Sequence, residues 1–336
     1  MEWSVGYTSR YYLSIVDWDT MNDINRIEIT NGTIKRSLTD LRESADVDCE
    51  AQLDNSKEHI IRIWLDTTQE GSSSHIPLFT GIAACPKDKY NGRNKKNSLE
   101  CYSMLKIASD VMLPRGWYAP VEIDSGIMLK ELLSCIKVPI NIADNTPKLS
   151  QAIIAEQGET KLSMANKILD SMGKWRLRLD GFGSIYIEPL PQDPMVTFDA
   201  VNNDVIETSI EISYDWYNTP NILRCTMDDV YAVARDDDGA SPMSIQNRGR
   251  EVWMEDNDVQ LSMNESLSEY AIRMLKYYQQ SSMELSYTRR FHPSVYPSDI
   301  VRIIYPEQGI NGTFLVSDQS IELGYNARTS EEVIRV

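Results

Sequence analysis

The chain has 336 residues, 42% of them hydrophobic and 25% charged, with a formal net charge of −17, long enough for two or three domains with substantial cores. No apolar run approaches the roughly 20 residues that span a bilayer, Met1-Glu2-Trp3-Ser4 lacks the basic and apolar regions of a signal peptide, and the net charge opposes general binding to nucleic-acid phosphates or anionic membranes. The five cysteines, Cys49, Cys85, Cys101, Cys135 and Cys225, are widely spaced and never form Cys-x-x-Cys, so neither a zinc site nor a disulfide framework is indicated, as suits folding in a reducing cytoplasm.

From Arg26 to Ile107 the pattern is β. Ile27 and Ile29 alternate with Glu28, and Asn31-Gly32 predicts a hairpin turn. Between Ala45 and Asp54 apolar residues alternate with Asp46, Asp48 and Glu50, the mark of a half-buried strand with one wet face. Ile61, Ile63 and Leu65 repeat the pattern, a polar loop from Asp66 to Ser74 leads to Leu78-Phe79-Thr80-Gly81, and a further strand runs from Leu99 to Ile107. Short strands punctuated by turns predict an antiparallel barrel or sandwich. Between Pro86 and Ser98 stand Lys87, Lys89, Arg93, Lys95 and Lys96 against one acid, Asp88. Such a run reads as a solvated hairpin loop or, more sharply, as a contact for an acidic neighbour. Asp236-Asp237-Asp238 is the matching candidate.

A short helix is predicted from Ser125, with Ile127, Met128, Leu132, Leu133 and Ile136 on one side and Pro139 beyond its end. Leu149 to Glu156 fits strand and helix equally. Thr160 then caps a helix carrying Leu162, Ala165, Leu169 and Met172 at helical spacing, and Gly173 sits where a left-handed residue ends it. The period switches to two: Trp175, Leu177 and Leu179, a turn at Asp180-Gly181, and Ile185 and Ile187 on the return strand. Leu190-Pro191-Gln192-Asp193-Pro194 reads as a linker. Beyond it β patterning returns over Val205–Ile212 and Asn221–Met227, with a turn from Tyr214 to Pro220 between them. After a polar stretch from Arg235 to Arg250 comes a long amphipathic helix, about Asn264 to Gln280, with Leu267, Ala271, Met274, Leu275 and Tyr278 on one face. Strands at Ile300–Tyr305, Thr313–Val316 and Ser320–Leu323, with a turn at Asn311-Gly312, close the chain.

Chemistry is sparse. His59, His75 and His292 form no His-x-x-x-His pair and stand near no cysteine pair. There is no Gly-x-Ser-x-Gly elbow and no phosphate loop. With 50 acids in the chain, chance carboxylate pairs are abundant and sequence alone selects none. The chain is therefore read as a structural or binding component without cofactor or metal.

Pro77-Leu78-Phe79-Thr80-Gly81, the basic loop, Tyr102-Ser103-Met104-Leu105-Lys106 and the segment from Leu169 to Pro189 resemble the XkdQ/YqbQ-type tail proteins of phages and phage-like particles. Those proteins are similar to the baseplate hub of contractile tails and to the N-terminal half of VgrG spikes. The likeness runs from about residue 26 to the end. Pro297-Ser298-Asp299-Ile300-Val301 and Gly312-Thr313-Phe314-Leu315-Val316 look like the last barrel of such hubs, which more often carry Gly where Ser298 stands.

The resemblance implies an α+β, mainly β chain: two tube-protein-like antiparallel β-barrels, a small α+β domain between them and a helical insertion in the second barrel. In this sequence those parts are expected at 1–110, at 111–200, at 201–235 with 286–336, and at 236–285. It further implies a homotrimer whose six barrels join a sixfold tail tube to a threefold spike or tail lysin, in contact with other baseplate proteins. Closed symmetry stops such a ring from growing, and an acidic channel wall would keep DNA from sticking. The implied role is structural and non-enzymatic, in a phage tail or tail-like bacteriocin assembled in the bacterial host cytoplasm, without stable nucleic-acid binding or membrane insertion. The alternative is a tail-associated peptidoglycan hydrolase using carboxylates such as Asp46 or Glu50. A weaker third is a carbohydrate-binding module using exposed Trp and Tyr.

Overall fold

The computed structural model describes residues 2–3, 5–39, 41–50, 53–54, 56–91, 94–201, 206–227, 229–257, 259, 261, 265–280, 282–324 and 328–336. Six strands come first: β1 (Thr8–Val16), β2 (Ile27–Ser37), β3 (Glu43–Cys49), β4 (Ile60–Gln69), β5 (Ser72–Asn91) and β6 (Asn94–Ser103). They pair in the order β1-β4-β5-β6-β3-β2, and β2 returns to β1 through Tyr12↔Glu28 and Leu13↔Ile27, which closes an antiparallel barrel. Period-two patterning sends Leu13, Ile34, Val47, Ile61, Ile63, Phe79, Leu99 and Cys101 inward, each almost wholly removed from water.

Asn31-Gly32 is not a turn. Both residues lie inside β2, beside a register shift between Ile29 and Asn31. The glycine is needed because β3 passes close by: a Cβ on Gly32 would sit 2.7 Å from the Asp46 carbonyl oxygen. The basic run is not an open loop either. β5 continues to Asn91 and β6 starts at Asn94, with Lys87 opposite Ser98 and Lys89 opposite Lys96.

A small α+β unit follows: α1 (Lys106–Asp110), β7 (Tyr118–Ala119), α2 (Ser125–Leu133), β8 (Ile140–Ile142), β9 (Ile153–Ile154), α3 (Lys161–Ser171), β10 (Trp175–Leu179) and β11 (Ile185–Pro189). The Asp124 and Thr160 side chains accept from the backbone N–H of Ile127 and Ser163, capping α2 and α3. Leu162, Ala165, Leu169 and Met172 are buried as their spacing requires. On α2 the buried face includes Leu129, whereas Ile127 is exposed. The unit shares its core with the barrel, since Val16, Ile60 and Ile82 pack in the same cluster as α2 and α3.

Strands β12 (Val196–Asp199) and β13 (Ile206–Tyr214) lead into an inserted unit of β14 (Ile222–Met227), β15 (Val230–Arg235), α4 (Ile245–Arg248), β16 (Trp253–Asp256) and α5 (Leu267–Gln280). Here β14 and β15 form a separate sheet, β15-β14-β16, under α5 rather than joining the barrel strands. Ser266 and Glu269 cap α5 reciprocally. Asn264, the expected start of that helix, lies outside the described residues. The chain finishes with β17 (Met283–Arg290), β18 (Ile300–Tyr305), β19 (Ile310–Glu322) and β20 (Arg328–Arg335).

These strands order as β13-β17-β20-β19-β18-β12 round a second core that includes Phe198, Tyr287, Val301, Phe314 and Val333. The second Asn-Gly pair, Asn311-Gly312, is again inside a strand, and the turn before β19 falls instead at Pro306–Gly309, where Gly309 has φ 69°. The strands expected at Thr313–Val316 and Ser320–Leu323 are one strand, β19, bent by a register shift between Val316 and Asp318. Ser298, where the resembling hubs more often carry Gly, has φ 69°, a conformation glycine takes without strain. One pairing, β2 with β19, fuses both strand sets into a single 12-stranded sheet. The fold is α+β and mainly β.

Candidate functional site: an ionic joint between the two strand sets

Strands bury apolar residues at every second position, so a charged residue at an inward register needs a partner. Arg36 on β2 stands two residues beyond buried Ile34 and is 2% exposed. Its Nε lies 3.0 Å from Glu43 Oε1. Its Nη atoms donate to Gln319 Oε1 at 3.0 Å and to the Leu78 carbonyl at 2.6 Å. Gln319 passes the connection on, donating at 2.7 Å to Glu331 Oε1 on β20. Glu331 accepts from the guanidinium of Arg289 on β17, with Nε at 2.9 Å, and from the Tyr287 hydroxyl at 2.5 Å. Both members of the Arg289–Glu331 pair are fully buried. A polar chain thus runs from the wall of the first barrel to the core of the second strand set.

Burial pushes the Glu43 carboxyl up to about 7, and Arg36 offsets only part of that. Burial and the adjoining Glu331 carboxylate raise Tyr287 well above the usual phenol range. Burial opposes the charge on Arg289, but the Glu331 carboxylate outweighs it and raises the guanidinium. Such networks contribute little net stability over an apolar core, yet removing one member leaves a stranded charge. Their use is register: Arg36 and Gln319 meet only when β2 and β19 pair as they do.

The small α+β unit is pinned to the same joint. Arg176 on β10 reaches Asp299 at 2.6 Å and Glu188 at 2.7 Å, and Arg178 lies 3.2 Å from Glu188. The Arg36 and Arg178 guanidinium groups both lie over the Tyr296 ring, 4.4 and 5.2 Å from its centroid. The Asp180–Ser184 turn docks on β5, where Thr80 Oγ1 donates to the Gly181 carbonyl at 2.8 Å. A Cβ on Gly181 would lie 1.9 Å from the Pro77 carbonyl oxygen, so only glycine fits. The Asp180-Gly181 turn and the Pro77–Gly81 run therefore belong to one contact.

The charged residues singled out in the sequence lie elsewhere. Lys87 is exposed on β5, and Lys89, Lys95 and Lys96 are on the β5–β6 arm, their side chains outside the described residues, as is the whole of Arg93. Asp236 accepts from Ser241 Oγ at 2.6 Å and Gln279 Nε2 at 2.9 Å, Asp237 lies 3.7 Å from Arg235, and Asp238 accepts from the Ala240 N–H. The acidic triplet thus organises a loop of the inserted unit, with Asp236 and Asp238 on the rim of a cleft of about 690 Å³. Asp46 sits on the solvent face of β3 and Glu50 is exposed after its end, rather than both converging in a cleft. His75 stacks on Trp64 at 3.9 Å and pairs with Asp66 at 2.6 Å. No group of three potential metal ligands occurs among the described residues, and no helix among them is long and apolar enough to cross a membrane.

No protein-family model and no curated protein matches this sequence. Solved structures do. A tail protein from Neisseria meningitidis MC58 superposes with a TM-score of 0.72 at 15% identity, over 98% of this chain and 97% of that one. The 43 kDa tail protein of prophage MuSo2 from Shewanella oneidensis gives 0.70 at 14% identity, over 98% and 97%. A component of the E. coli type VI secretion system, itself described as similar to the T4 bacteriophage tail proteins gp27 and gp5, gives 0.55 at 8% identity, over 96% and 76%. At these identities the likeness establishes a shared fold.

Proposed function

We propose that the chain is a structural hub subunit of a phage tail or phage-tail-like particle, three copies closing into a ring that joins a sixfold tail tube to a threefold spike. The observation that carries this reading is the single sheet in which two sets of six strands, each round its own core, are fused through β2 and β19. One chain then offers two comparable faces, so a threefold ring presents six, and closed symmetry limits its size. The whole-chain likeness to tail proteins supports the same role.

In this reading residues 1–110 form the first tube-like barrel and 111–200 the small clamp, with β12 at its end handed to the second strand set. The second barrel and its insertion occupy the remainder, and the separate sheet β15-β14-β16 supports counting β14 and β15 with the insertion. The partners are other copies of the chain, a tube protein, a spike or lysin and further baseplate proteins, and assembly takes place in the bacterial cytoplasm. The role is non-enzymatic. The basic arm bearing Lys87, Lys89, Arg93, Lys95 and Lys96 faces the Asp236–Asp238 loop of a neighbouring copy, where it orients more than it stabilises, since such pairs contribute about 0–1 kcal/mol each.

Imaging of particles that contain the protein tests the proposal. A threefold ring of six β modules between tube and spike is expected, and a single module per chain or a peripheral location contradicts it. Clearing of peptidoglycan by the pure protein, abolished by Asp46→Asn or by Glu50→Gln, would favour the hydrolase instead.

A further inference from the structure

Between the inserted unit and the second strand set lies the cleft of about 690 Å³ whose rim carries Asp236 and Asp238. Its walls include the end of β13 with the loop after it, the loop from Asp236 to Met243, the C-terminal turn of α5 and the turn that leads into β19. Two aromatic side chains line it and yet stay open to water. Tyr214 is 51% exposed and Trp216 46%, and their rings stack with centroids 6.2 Å apart and planes at 29°. Ring surface left in water in this way is unfavourable unless something covers it.

The loop that bears the two rings is fastened from both sides. The Asp215 carboxylate accepts from the backbone N–H groups of Tyr217 at 3.1 Å and Asn218 at 2.9 Å, and the Asp215 N–H donates to the Ser282 carbonyl at 2.9 Å. The Arg248 guanidinium donates to the carbonyls of Trp216 and Thr219. A ligand that covers the rings therefore does not have to order the loop first. The polar wall is fixed as well, since Asp236 accepts from Gln279 Nε2 at 2.9 Å and from Ser241 Oγ at 2.6 Å. Among the described residues, the charges lining the cleft are Asp236 and Asp238 against Lys276 and Arg335, which balance although the chain as a whole carries −17. The other polar groups in the lining are amides and hydroxyls, such as Gln280, Asn311 and Ser282.

We propose that this cleft is a binding site for an uncharged oligosaccharide. The faces of aromatic rings take up the C–H face of a sugar ring. Amides donate and accept and carboxylates accept, which suits the hydroxyls round that ring's edge. An anionic ligand would oppose Asp236 and Asp238, a cationic one would oppose Lys276 and Arg335, and an apolar one would strand the amides away from water. The size of the cleft lies within the range of small-ligand sites. The inference stands apart from the hub reading, because it concerns what one chain holds in this cleft and not how copies assemble.

The test is calorimetric titration of the full-length protein with three uncharged tetrasaccharides, cellotetraose, chitotetraose and maltotetraose, beside an oligoproline peptide and the anionic tetrasaccharide of hyaluronan. The wild type is expected to bind at least one of the three uncharged sugars more tightly than either control. Trp216→Ala is expected to weaken that binding about tenfold or more, while the loop stays in place because Arg248 grips the backbone carbonyl and not the ring. Trp216→Phe is expected to retain most of it. If Trp216→Ala does not fold, Tyr214→Ala must produce the loss instead. A wild type that binds none of the three sugars overturns the inference, as does sugar binding that Trp216→Ala leaves unchanged, which would put the site elsewhere. Preference for oligoproline would make the cleft a groove for an extended peptide, and preference for hyaluronan would contradict its balanced charge; either overturns the inference. A folded Trp216→Ala chain that loses the wild type's oligomeric state would make the cleft a subunit contact and also overturn it. A wild type that binds sugar but never closes a ring instead removes the hub reading and leaves this one standing.

Discussion

The first barrel and the second strand set are alike in strand number and unlike in how they are built. The first closes on itself through β1 and β2, is filled mainly by aliphatic side chains, and buries the Arg36–Glu43 pair between β2 and β3. The second is filled partly by aromatic rings and carries the fully buried Arg289–Glu331 pair against its core, with the Arg289 guanidinium 4.7 Å from the Phe198 ring centroid. It also carries the inserted unit. The two sets thus share a strand number and differ in their interiors, and polar side chains join them at their seam.

Removing the seam's most buried charge sharpens that contrast most. Glu331→Gln strands the Arg289 guanidinium and is expected to cost about 3–5 kcal/mol in urea unfolding. Breaking the exposed Arg328–Glu207 pair, 3.5 Å apart on the same sheet, is expected to cost no more than about 1 kcal/mol. Equal costs would mean that burial does not distinguish the two sites.

Gly181→Ala attacks the clamp rather than the seam. The added methyl meets the Pro77 carbonyl backbone, so a loss of about 1–3 kcal/mol is expected, read as increased hydrogen exchange at the Asp180–Ser184 turn. Unchanged exchange there would show that the turn does not need its close contact with β5.

A further effect of similar size is in pH dependence. The Glu43 carboxyl is raised from 4.5 to about 7 in the fold, so the folded chain holds a proton that the unfolded chain releases between those values. Its contribution is therefore present at acid pH and lost as pH rises through about 7. Glu43→Gln is expected to flatten the fall in stability between about pH 5 and pH 8 by an amount on the order of 1–3 kcal/mol. An identical slope in both proteins would show that Glu43 stays ionised beside Arg36.

Much of this architecture is legible in the sequence because period and capping are local signals. Thr160, Gly173 and Asp180-Gly181 announce α3 and the hairpin correctly, and the alternation from Ala45 exposes the wet face of β3. The two Asn-Gly pairs mislead for a physical reason. Their glycines are retained where a strand meets a close neighbour or a ring, as Gly32 against the Asp46 carbonyl and Gly312 beside Phe314, and a turn code does not distinguish that need. The basic run concealed strand because Lys and Asn are poor strand formers held there by ladder pairing. The joint itself was half visible: Arg36 and Glu331 sit at registers where alternation demands apolar residues, and a charge at such a position signals a buried partner. Which partner depends on pairing between β2 and β19, nearly three hundred residues apart in the chain.

The most direct test is the mass of the intact protein in solution, measured across a range of concentrations. The account predicts a discrete species of three times the chain mass that neither grows nor dissociates gradually. A chain that remains monomeric at every concentration, or that extends into open-ended polymers, would contradict it.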